Sequence, residues 1–273
     1  MKRILYPLIC LSFSILACSI QVPVTPTQPP VVTEPPTEVI TPPPPTEPPL
    51  LPNSICNELS LYLDPGLASS YTCETIPESS EMMEIYPQHT KLTLQGYLLA
   101  NKFFPPTISI YPLAEYSQLM PDFIPERIAS LQNLVAGTPP GDNELPFLPV
   151  FNAAQVFHAQ YQVLPFFSGN GIRYLTLFAQ YSAPINNHDL FYTYQGLTSD
   201  GNYWISAILP INHPMLPDNG ENPPDGLSWE EFSNNYEAYL VDITSQLNSQ
   251  PGVGFTPSIP LLDSLIGSIT ISP

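Results

Sequence analysis

Positive charge is the scarcest feature of this 273-residue chain: six Lys or Arg stand against 24 Asp or Glu, a formal net charge of −18. A nucleic-acid partner is excluded, because binding it takes several cations to neutralise phosphates and release counterions. Docking on an anionic lipid surface through protein side chains is excluded for the same reason. Beyond the first 20 residues no run of 18 apolar residues occurs, so no bundle of membrane-spanning helices is expected. Also missing are a Gly-x-Ser-x-Gly elbow, a His-Glu-x-x-His pair and a phosphate-binding glycine loop, and nothing implies a cofactor. What is present is ample apolar material, 43% hydrophobic and 11% aromatic, enough to build a core.

The chain divides by composition. Residues 1–17 read as a secretory signal peptide, with a basic start at Lys2 and Arg3 and a short apolar stretch from Ile4 to Leu16. Ile15-Leu16-Ala17-Cys18 resembles the lipobox of bacterial lipoproteins, in which the cysteine is lipidated and becomes the first mature residue. That resemblance implies a membrane partner through a lipid anchor at Cys18, and a domain in the bacterial cell envelope outside the cytoplasm. Ser19 does not resemble an inner-membrane retention signal. Residues 18–52 continue as a Pro/Thr-rich linker: Ser19 to Pro52 holds 13 prolines and six threonines, with no glycine, Lys or Arg. Such a stretch favours extended polyproline II and reads as a stalk.

Residues 53–273 are expected to form a single globular α+β domain, an antiparallel meander packed against two main helices. Early strands are expected at Ile55 to Leu63, Tyr71 to Ile76, Lys91 to Leu99 and Thr107 to Tyr111. Pairing of the first two would bring Cys56 and Cys73 together, and an even cysteine pair in an exported chain reads as a disulfide. The meander runs through Phe157 to Val163, Ile172 to Tyr181, Leu190 to Gly196 and Asn202 to Leu209, with a turn over Ser168 to Gly171. One helix spans Pro125 to Val135. A second starts at Ser228, which forms a capping box with Glu231, and keeps helical spacing through Leu247. Leu261 to Leu265 reads as a helical turn and Ile266 to Ile271 as a closing strand. The strings Gly171-Ile172-Arg173-Tyr174-Leu175-Thr176 and Tyr194 to Gly201 resemble those of exported bacterial lipoprotein domains. The element order is similar to the Mog1/PsbP type of α/β sandwich. Neither resemblance implies catalytic residues.

Candidate sites are few. His89, His158, His188 and His213 are scattered, and His188 with Asp189 is the most suggestive pair. Adjacent side chains point in different directions, so it reads as part of a solvated loop. Asp218, Glu221 and Asp225 supply oxygen ligands on a Gly-containing loop, a weak Ca²⁺ candidate without EF-hand spacing. The mature chain keeps Lys91, Lys102, Arg127 and Arg173 as its cations. Arg173 opens a strand expected to be covered on both faces, so its charge should reach a carboxylate or the sheet edge, or else anchor an anionic ligand. Tyr192 and Tyr194 share one face of a hairpin that also carries Tyr203 and Trp204, either core or an exposed platform for glycan or protein.

The reading is therefore a membrane-tethered lipoprotein whose domain binds a protein or glycan ligand without being an enzyme. The alternatives are an extracellular hydrolase of glycan or ester and an assembly factor for a membrane complex. Cys18→Ser should move the protein from the membrane to the soluble fraction in a fractionation experiment. Persistence in the membrane would show that Cys18 carries no anchor.

Overall fold

The computed structural model describes residues 51–81, 84–141 and 144–272, so the signal peptide, Cys18 and nearly all of the Pro/Thr-rich segment lie outside the described residues. Seven strands form the main sheet: β1 (Ser70–Ile76), β2 (His89–Gln95), β3 (Thr107–Pro112), β4 (Ala159–Phe166), β5 (Gly169–Thr176), β6 (Phe191–Thr198) and β7 (Tyr203–Pro210). Their order is β1-β2-β3-β7-β6-β5-β4, antiparallel at every step. The expected meander is β4 to β7, and β7 then pairs with β3 to join it to the earlier strands.

Between β3 and β4 the chain forms α1 (Leu113–Leu119) and α2 (Ile124–Val135). After β7 it forms α3 (Trp229–Asn234), α4 (Tyr236–Ser249) and α5 (Ile259–Gly267). Ile172, Tyr174, Phe191 and Trp204 pack with Tyr116, Ile124, Leu131 and Leu134 of α1 and α2 on one face. Leu175, Tyr192, Tyr194 and Ile205 pack with Ile243 and Leu247 of α4 and Leu262 and Ile266 of α5 on the other. The sheet is thus the middle of three layers, which is why Phe191 through Gly196 are all buried.

Local signals account for the helix limits. Pro125 sits in the first turn of α2, where its missing N–H costs nothing, and Gly137 follows the helix at φ +100°. Ser228 caps α3 with the reciprocal Glu231 bond. The single helix expected from Ser228 is instead two, because Asn235 leaves helical geometry (φ −112°, ψ 15°) and its side chain donates to Glu231 O at 2.8 Å.

Other boundaries also differ from expectation. Ile55 to Leu63 is not one strand: Asn57 at φ 52° turns the chain between Ser54–Cys56 and Leu59–Leu61, which pair with each other. Thr270–Ile271 completes that small sheet, and Ile266 belongs to α5. β1 pairs with β2, yet Cys56 and Cys73 are bonded, so the disulfide ties the small sheet to the edge of the large one. Gly169 already opens β5, placing the turn at Phe167 and Ser168. A side chain at Gly171 would strike the Tyr194 ring, with its Cβ at 2.7 Å.

One buried ion pair joins the sheet to α5. Arg173 Nε lies 3.3 Å from Asp263 Oδ1, Nη2 donates to Gln162 Oε1 at 2.6 Å, and Nη1 donates to Gln160 O. The Tyr192 hydroxyl donates to the same Asp263 oxygen at 2.9 Å. Burial lifts the Asp263 carboxyl above its ordinary value, against the opposing pull of Arg173 and Tyr192. Removing one member of a buried pair strands the other. Asp263→Leu should therefore cost about 3–5 kcal/mol, and adding Arg173→Met should recover much of that. Urea denaturation of the two single variants and the double variant checks the coupling; purely additive losses would mean that the pair does not act as a unit.

Candidate functional site

Antiparallel register puts a row of polar residues across one face of the sheet. Lys91 of β2 lies opposite Ser109 of β3, Ser109 opposite Ser206 of β7, and Ser206 opposite Gln195 of β6. Glu74 of β1 continues the row beyond Lys91. The inner half of this row is closed by the segment entering from the α2 side. Leu148 N donates to Gln195 Oε1 at 3.1 Å, Ser206 Oγ donates to Leu148 O, and Trp204 Nε1 donates to Gln195 Oε1 at 2.7 Å. These bonds are required, since an unpaired amide in such a place costs about 1–3 kcal/mol.

The outer half of the row stays open. Above Lys91, Thr107, Ser109 and Tyr111 lies a cavity of about 380 Å³, within the size range of small-molecule sites. The hairpin of Ser79–Glu81 and Glu84–Tyr86 contributes Glu84 and Tyr86 to its wall, and Phe104, Pro149 and Phe151 close another side. His89 forms part of the same lining and is buried between aromatic rings, 5.1 Å from Tyr86 and 4.4 Å from Tyr111. Its Nδ1 lies 2.9 Å from Pro87 O; a carbonyl can only accept, so the proton belongs on Nδ1. Burial pulls the His89 pKa below its ordinary 6.5 and the Lys91 charge adds to that, while the Pro87 carbonyl opposes both. Burial pushes the Tyr111 hydroxyl up, against its hydrogen bond to Ser109.

Phe104 and Phe151 stack at 5.0 Å with planes 11° apart and wall a second cavity of about 430 Å³. Its lining is mainly apolar, with Phe103, Phe178 and Tyr181 as further aromatics, and Asp189 supplies a carboxylate. Here the loop of residues 184–189 departs from expectation. It is largely buried, and Asn186 Oδ1 accepts from the backbone N–H groups of both His188 and Asp189. That tight turn brings His188 Nδ1 to 2.6 Å from Asp189 Oδ1, while Asn186 Nδ2 holds Oδ2 at 2.9 Å. Adjacency in sequence does produce a paired His188 and Asp189.

The remaining sequence candidates are placed differently. Tyr192 and Tyr194 are 0% exposed, so they offer no platform. Their face is the one α4 and α5 cover, and Tyr194 lies on Gly171 and Gly196 with its hydroxyl donating to Leu164 O. Trp204 is likewise buried, on the opposite face. Arg173 is committed to Asp263 and is not open to an anionic ligand. Asp218, Glu221 and Asp225 are exposed, and among the described residues no three His, Cys, Asp or Glu side chains group to hold a metal ion. Among the described residues no helix is long and apolar enough to cross a membrane.

Sequence reasoning missed His89, Ser109, Ser206, Phe104 and Phe151 as a group. The one available signal was aromatic residues placed in proline-rich loops, Phe103-Phe104-Pro105-Pro106 and Pro149-Val150-Phe151. No family model matches the chain, and no curated protein or solved structure is significantly similar to it.

The electrostatics of His89 carry a pH dependence. A histidine whose pKa falls on folding binds its proton more tightly when unfolded. The stability it contributes is therefore complete above about pH 6.5 and lost as pH falls through that value toward the folded pKa. Burial lowers His213 in the same sense. Urea midpoints should drop between pH 7.5 and 5.5, and His89→Asn should remove part of that slope. An unchanged slope in the variant would assign the effect to other groups.

Proposed function

We propose that this chain is a membrane-tethered extracytoplasmic lipoprotein whose domain is a non-enzymatic module that binds a small ligand in the cleft above β2, β3 and β7. The observation that carries this reading is the cleft itself: two adjoining cavities of about 380 and 430 Å³ that share the Phe104–Phe151 wall, one of them with a polar floor. Apolar walls with a few placed polar groups suit recognition of a small molecule. Two of the groups along the floor are engaged within the chain, Ser206 with Leu148 O and His89 Nδ1 with Pro87 O. A serine nucleophile would instead need a base within hydrogen-bond reach. Lipidation at Cys18 and the Pro/Thr-rich segment through Pro52 would hold such a domain away from the membrane surface, and the Cys56–Cys73 bond suits an oxidising compartment.

The paired His188 and Asp189 beside the aromatic cavity favour one rival, hydrolysis of an ester or glycan with His188 as base. Thermal melts of the oxidised Cys18→Ser protein with small apolar acids, amino acids, glycans and Ca²⁺ separate the readings. A ligand at 100 times its Kd adds about 2.7 kcal/mol of stability, a clear rise in midpoint. Binding in the cleft should be weakened at least tenfold by Phe151→Ala. Turnover of a nitrophenyl ester that His188→Ala abolishes would replace this reading with the hydrolase. A flat response with a stoichiometric co-purifying protein would replace it with a protein-interaction module.

A further inference from the structure

Four cations belong to residues 53–273, and three of them are spent on the fold. Arg173 meets Asp263, and Arg127 lies 4.0 Å from Glu144 and over the Phe123 ring. Lys102 donates to Asn187 O at 2.6 Å and to Asn212 Oδ1. Lys91 is the exception: among the described residues its ammonium makes no ion pair or hydrogen bond, and it lines the polar-floored cavity. Glu84 lines the same cavity from the hairpin and likewise makes no ion pair among the described residues. Two opposite charges thus line one open cleft without meeting each other.

We propose that this cavity binds a small zwitterion with an apolar side group, the chemistry of a free hydrophobic α-amino acid, its carboxylate at Lys91 and its ammonium at Glu84. The proposal rests on the cleft being a binding site. Charge complementarity selects the class. A lone anion would meet Lys91 but also Glu84, and would approach a protein of net charge −18; a zwitterion carries no net charge and is not repelled. An isolated cation would be drawn to the acidic surface in general, and Lys91 would oppose it inside the cavity. The walls suit the side group, since Ile76, Tyr86, Phe104, Phe151 and Ile208 are apolar or aromatic. Ser109 and Tyr111 add hydroxyls to the same lining.

The test uses the full-length Cys18→Ser protein, titrated calorimetrically with L-phenylalanine, L-leucine, N-acetyl-L-phenylalanine, L-phenylalaninamide and uncharged 3-phenylpropanol. The free amino acids should bind tightest, and blocking either charge should weaken binding about tenfold or more. Lys91→Gln should lose that margin for probes with a carboxylate and leave phenylalaninamide unchanged. Glu84→Gln should do the reverse, and Glu74→Gln should change nothing. An N-acetyl derivative that binds as well as phenylalanine would overturn the zwitterion and leave the cleft as a binding site, as would equal binding of 3-phenylpropanol. If none of the five probes binds, the zwitterion proposal fails, while the small-ligand reading of the cleft stands or falls on the wider panel of the thermal melts.

Discussion

Burial of the central strands of the main sheet, β3, β5, β6 and β7, on both faces is the constraint from which most of this structure follows. A strand in the middle of three layers has no solvent side, so every polar group it carries must find a partner inside the protein. Thr193 donates to Ala207 O at 2.8 Å, Gln195 is held by Leu148 and Trp204, and Arg173 is held by Asp263, Gln162 and Gln160. The same constraint draws the large aromatics inward. Tyr174, Tyr192, Tyr194, Phe191 and Trp204 are all fully buried, and the glycines at 171 and 196 make room for the Tyr194 ring.

The cleft arises where that cover thins. On the face carrying α1 and α2, residues 145–148 close the polar row over β6 and β7. Over β2 and β3 the row is overhung by a short hairpin and by loop aromatics. The result is a polar floor under apolar walls, beside a more aromatic cavity. Scarcity of positive charge sharpens the electrostatics, because each cation that the fold uses is unavailable elsewhere, and Lys91 lines the cavity opposite Glu74 of β1 and together with Glu84.

Much of the fold was legible because its signals are local. Turn residues and short apolar runs marked the four strands of the meander, and the Ser228–Glu231 box marked the start of α3. The alternation expected from Phe157 to Val163 is broken at Gln160 (φ 54°), which leaves Phe157 and Ala159 on one face and Tyr161 and Val163 on the other. The disulfide was legible from cysteine number, although the strand pairing expected to produce it was not the one found. What escaped was decided by single residues acting on the backbone: Asn57 at positive φ, Asn235 breaking a helix, and Asn186 folding a loop so that His188 reaches Asp189.

By itself the sequence determined the α+β class, and it sets the expectations of a Pro/Thr-rich segment apart from a foldable domain and of no nucleic-acid partner. These rest on composition, charge and short-range periodicity, which need no knowledge of distant contacts. Only the tertiary structure decided that β7 pairs with β3, that Tyr192 and Tyr194 face covering helices, and that Lys91, Ser109 and Ser206 form one row. Alternation states which residues of one strand share a face. Which strands become neighbours, in what register, and which face is then covered depend on contacts between residues far apart in the chain, such as Thr107 with Ile208, and those contacts create the cleft.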